Sequence, residues 1–153
     1  MPGRRANGGA VSEELVLEFQ VRGLDFAAVG EASGAIKRAL QQVGMEAQVV
    51  RRASVCAFEV ETNIVIHATR GVVRARISPE RVVVEGEDEG PGIADLELAM
   101  QEGYSTAPAY IREMGFGAGM GFANMKRCSD HMEVWSEVGK GTRVRVVIEV
   151  GKP

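Results

Sequence analysis

The chain has 153 residues, a formal net charge of −3 and 18 lysines and arginines spread along its length. That length suits one domain that buries roughly 68–70% of the surface its unfolded form exposes, and 45% apolar with 25% charged residues is ordinary globular usage. No basic stripe points to nucleic acid, no apolar run approaches the roughly 20 residues that span a bilayer, and Cys56 and Cys128 are too few and too far apart for a zinc site or disulfide framework.

The polar start, Met1-Pro2-Gly3-Arg4-Arg5, has no hydrophobic signal core. Residues 1–11 are therefore expected to be a flexible tail ahead of one domain over 12–151, in the cytoplasm. Residues 13–21 alternate: Leu15, Leu17, Phe19 and Val21 against Glu14, Glu18 and Gln20, a half-buried strand. Asp25 is placed to cap a helix that Gly44 ends, with Phe26, Val29, Ile36, Leu40 and Val43 at helical spacing. A second helix is expected over 47–68, with Val49, Ala53, Ala57, Val60 and Ile64 on one stripe. Strands over 72–77 and 81–88 form a hairpin through Ser78-Pro79-Glu80. A short helix over 93–102, a loop over 103–121, a helix over 121–129 and two strands, 131–137 and 142–150, complete the chain. Five amphipathic strands and three helices besides the short one predict an α+β fold: a two-layer sandwich, mostly antiparallel, with helices on one face. The outer face then carries Glu18, Arg74, Arg76, Glu85, Glu87, Glu133, Arg143 and Arg145 as cross-strand charge pairs.

Polar residues on the apolar side break this pattern. Asp88 ends its strand on the inward parity, and Thr142 opens its strand on the same side. A carboxylate facing a core needs a donor. Asp88 is therefore either a turn residue capping Gly90 or, with Thr142, part of a cavity wall. Glu59 and Asn63 lie one helical turn apart, about 6 Å along the axis, beside the apolar stripe. They are either an exposed helical pair or a carboxylate and amide serving a nucleophile and a metal together, since Mg²⁺ prefers oxygen ligands. Gly115-Phe116-Gly117-Ala118-Gly119-Met120-Gly121 runs into a helix, an arrangement whose N–H groups suit phosphate. It is neither a Walker loop nor a dinucleotide fingerprint, and Gly139-Lys140-Gly141-Thr142 lacks P-loop spacing.

In order, Glu59-Val60-Glu61-Thr62-Asn63, Asp88-Glu89-Gly90-Pro91-Gly92-Ile93, Gly115 to Gly121 and Gly139-Lys140-Gly141-Thr142 resemble the four boxes of the GHKL ATPases, the superfamily of DNA gyrase, Hsp90, histidine kinases and MutL. Glu102-Gly103-Tyr104-Ser105-Thr106 and Asn124-Met125-Lys126-Arg127 extend the likeness to the small serine/threonine kinases of bacterial partner switching, the stressosome switch kinase above all and the anti-sigma factor kinases next to it.

The resemblance implies a Bergerat fold, ATP and Mg²⁺. It implies that Asp88 accepts a hydrogen bond from the adenine amino group with Thr142 assisting, and that Gly90 and Gly92, with Ile93 beside them, keep the base slot open. It implies Asn63 as the Mg²⁺ ligand, and Gly115, Gly117, Ala118, Gly119, Met120 and Gly121 as the phosphate loop, within a lid over about 103–119. Arg112 is either a neutraliser of phosphate charge or a surface residue of that lid. Glu59 takes the place of the general base, and Glu61, about 200° around the helix, is disfavoured. The implied function is phosphorylation of a STAS-domain antagonist in a stressosome-like complex. A phosphatase or other output enzyme lies downstream, and neither membrane nor nucleic acid is a partner. The alternative is an anti-sigma factor holding a sigma factor in a nucleotide-dependent complex.

Overall fold

The computed structural model describes residues 4–7 and 10–151, with side chains from residue 13 onward. The expected tail over 1–11 falls partly outside the described residues. The structure places two short strands there and just past it, β1 (Arg4–Asn7) and β2 (Ala10–Glu13), paired antiparallel.

The five expected strands form one sheet: β3 (Leu15–Arg22), β4 (Arg70–Ile77), β5 (Arg81–Glu89), β6 (His131–Glu137) and β7 (Gly141–Glu149). Their order is β3-β4-β5-β7-β6, antiparallel throughout. The period-2 pattern dictates what each face carries. Phe19, Val73, Gly86, Val144 and Val134 lie in register across the inner face. On the outer face Glu18, Arg74, Glu85, Arg145 and Glu133 alternate in sign across all five strands. Glu85 is almost buried there, with Arg76 at 3.2 Å and Arg143 at 3.7 Å from its carboxylate.

Three helices cover the inner face: α1 (Glu31–Gln42), α2 (Ala47–His67) and, after two short ones, α5 (Gly121–Cys128). Helix α2 lies over the sheet and buries Val49, Ala53, Cys56, Ala57, Val60 and Ile64. It sits so close that a Cβ at Gly86 would overlap Val60, so a glycine is required below it. The short helices are α3 (Leu96–Ala99), whose first turn is capped by Asp95 (3.0 Å to the Leu98 N–H), and α4 (Ala109–Glu113).

Two expectations are corrected. Asp25 caps nothing with its side chain; Phe26–Ala28 form a single 3₁₀ turn and α1 starts only after Gly30, at φ 99°. The orphan N–H groups that open α1 point instead at Glu61 of α2: Gly30 and Ala32 donate to Oε2 (both 3.2 Å) and Ser33 to Oε1 (3.1 Å). A distant carboxylate has taken the role of a local cap. The segment 103–121, read as loop, contains α4, because Ile111 finds a fully buried seat beside Ala107. Gly44 closes α1 as expected, at φ 77°.

Candidate functional site

A cavity of about 560 Å³ opens between α2, the ends of β5 and β7, and the segment from Pro91 to Phe122. That volume is within the usual range for small-molecule sites, roughly 300–1,000 Å³.

At one end the sheet supplies the polar groups. Asp88 is half-buried, and its Oδ1 accepts the Thr142 N–H at 3.1 Å. Loss of water around the carboxylate pushes its pKa up, opposed by that N–H. The Thr142 hydroxyl lies 3.0 Å from Ser136 Oγ, which accepts the Ile93 N–H at 2.7 Å. Ser136 thereby ties the 91–93 turn to the β6–β7 hairpin. Val144 and Gly86 form the floor. A carboxylate and a hydroxyl at the rim of an apolar slot suit a flat heteroaromatic base with an exocyclic amino group: the acceptors orient it, and the apolar walls exclude water.

At the other end α2 meets α5. Glu59 and Asn63 both face the cavity. Asn124 of α5 donates from Nδ2 to Glu59 Oε2 at 2.8 Å. A Cβ at Gly121, the first residue of α5, would lie 3.5 Å from Asn63 Oδ1, so this amide oxygen stands at the head of that helix. The donors here are oxygens, which suits Mg²⁺. Among the described residues no group of three His, Cys, Asp or Glu side chains can hold an ion.

The segment 103–119, expected as a lid, is pinned at its base. Gly103 donates its N–H to the Gly119 carbonyl at 3.0 Å. Gly119 has φ 79°, and a Cβ there would overlap the backbone of Gly103 and Tyr104, so both conformation and space call for glycine.

The structure gathers twelve of the residues singled out in the sequence around this one cavity. They are Glu59 and Asn63 from α2, Asp88 and Thr142 from the sheet, Gly92 and Ile93 from the turn after β5, and Gly115, Gly117, Ala118, Gly119, Met120 and Gly121 from the lid and α5. Two do not line it: Gly90, where a Cβ would meet Ala68 and Asp88 Oδ1, and Arg112, which is exposed on α4. The sequence reading missed Ser136 and Asn124. Ser136 shares the inward parity of Met132 and Val134, and Asn124 follows the glycine loop at helical spacing; those were the available signals.

The sequence model of the "Histidine kinase-, DNA gyrase B-, and HSP90-like ATPase" family matches residues 48–152, which include all four boxes and every wall of the cavity. The chain belongs to this family. Among similar proteins, the anti-sigma F factor of Caldanaerobacter subterraneus subsp. tengcongensis is 39% identical over 99 residues, 61% of this chain and 66% of the relative. The anti-sigma F factor of Thermoanaerobacter sp. is 39% identical over 98 residues, 61% and 65% of the two chains. That of Clostridium acetobutylicum is 38% identical over 91 residues, 56% and 60%. The chain spans just under two thirds of the length of these relatives. As a family member it carries an ATP-binding domain, with the antiparallel sheet and one-sided helical cover expected of it. No helix among the described residues is long and apolar enough to cross a membrane.

Proposed function

We propose that this protein is a serine/threonine kinase that uses ATP with Mg²⁺ to phosphorylate a STAS-domain antagonist in a cytoplasmic, stressosome-like partner switch. The observation that carries the reading is the Glu59 carboxylate. It faces the cavity, one turn from Asn63, and its Oε2 is held by Asn124 at 2.8 Å. Glu59 accepts the proton of an incoming seryl or threonyl hydroxyl while that oxygen bonds to the γ-phosphorus. The bond from phosphorus to the β–γ bridging oxygen breaks, and ADP leaves. Asp88 and Thr142 orient the base, and the glycine loop offers N–H groups to the phosphates. Mg²⁺, when bound at Asn63, neutralises phosphate charge. The anti-sigma F factor relatives support a partner-switching role.

The test is transfer from Mg·ATP to STAS proteins encoded beside this gene, read as phosphoserine or phosphothreonine by mass spectrometry. Glu59→Gln is expected to keep nucleotide affinity and lose about 10²–10⁴-fold in transfer. A protein that binds nucleotide and phosphorylates none of these partners defeats the reading; unimpaired turnover in the variant removes Glu59 as base. The name of the relatives favours a second reading, nucleotide-dependent capture of a sigma factor. Co-purification with a sigma factor, set against co-purification with a STAS protein or phosphatase, separates the two.

A further inference from the structure

The α5 surface facing Glu59 carries more polar order than helix docking requires. Docking is already met by Met125, which is fully buried, and by Cys56, whose Sγ lies 3.8 Å from the Met125 carbonyl. At the end of α5, Arg52 donates from Nε to the Cys128 carbonyl (2.9 Å) and pairs with Asp130 (3.2 Å). Asn124 adds a contact of another kind. Its Nδ2 donates to Glu59 Oε2, and its Oδ1 accepts from Arg127 Nη2 at 2.7 Å. The guanidinium only donates, so it allows one orientation of the amide, with the NH₂ toward Glu59. Arg127 also pairs with Glu102, the residue just before Gly103. The carboxylate is thus held at one oxygen by an amide whose own direction is fixed by a cation.

We propose that Asn124 is the positioning residue for Glu59: it holds Oε2, so that Oε1 faces the hydroxyl that is to lose its proton, and Arg127 locks the amide in the donating direction. The proposal rests on the kinase reading for its kinetic consequence, but the contact itself does not.

Two measurements test it. In steady-state transfer, Asn124→Ala is expected to lose about tenfold in kcat, with the KM for the protein substrate and nucleotide affinity within twofold of wild type. In a Glu59→Ala background the same substitution costs nothing further, because residues that act as a unit are not additive. An equal loss in both backgrounds, or a loss of nucleotide affinity instead of kcat, overturns the proposal. Independently of transfer, the Asn124 side-chain amide resonances are followed by NMR in wild type and Glu59→Ala. A marked shift on removal of the carboxylate supports the contact, and unmoved resonances overturn it. If wild type transfers to no partner while these resonances shift, the kinase reading fails and the positioning contact stands.

Discussion

In the proposed kinase Asp88 meets two demands that pull in opposite directions. A hydrogen bond from an amino group favours the ionised carboxylate, whereas the half-buried slot disfavours the charge. Its folded-state pKa is raised, so the native protein holds this proton more tightly than the unfolded chain. The stability this contributes is complete below the unfolded value and is lost as pH rises through the folded value. Nucleotide affinity runs the other way and falls on acidification, beginning at a higher pH than for an ordinary carboxylate. Asp88→Asn is accordingly expected to raise the unliganded melting temperature at pH 7 by about 1–2 °C, a gain kept small by solvent screening of a half-exposed group. It is expected to weaken nucleotide binding at least tenfold; melts from pH 5 to 8 and calorimetry check both. Asp88 and Thr142 were legible because they are polar on an apolar parity. Asn124 and Ser136 were not, because their meaning lies in contacts across 65 and 43 positions of sequence.

Within single elements, α2 serves two masters on opposite sides. Glu59 faces the cavity, while Glu61, two residues on, is buried and accepts three N–H groups from the start of α1. The same helical periodicity that disfavoured Glu61 as a base leaves it facing α1. Glu61→Ala strips acceptors from buried donors and is expected to cost about 2–3 kcal/mol in thermal or urea unfolding, with nucleotide affinity little changed. An unchanged midpoint would show that water replaces the carboxylate at no cost. The start of α1 was misread for the same reason: local capping chemistry pointed to Asp25, and the cap came from another helix. Helix α4 escaped notice because five residues carry too little periodicity to show.

For the molecule as a whole, sheet and helical layer were legible because β3, β4 and β6 alternate with few interruptions and α2 keeps its stripe from Val49 to Ile64, about four turns. The β1–β2 pair was not, since its residues bear no such alternation. The cavity lies between the layers, so its occupant joins sheet to helices. At a hundredfold excess over Kd a ligand that binds only the folded state adds about 2.7 kcal/mol. Mg·ATP is therefore expected to raise the melting temperature by about 5–11 °C, and Asp88→Asn to abolish most of that rise. Differential scanning calorimetry with and without nucleotide decides it; a flat response would remove the cavity as a nucleotide site.

The Gly103–Gly119 clasp has a last consequence. The intervening stretch leaves and re-enters the body at nearly one point, so chain can be added within it, away from the buried Ala107 and Ile111 and from the cavity-facing residues 115–119, without displacing a strand, at an entropic cost that grows only logarithmically with length. An insertion there would lengthen the entrance and leave the glycines that face the cavity in place.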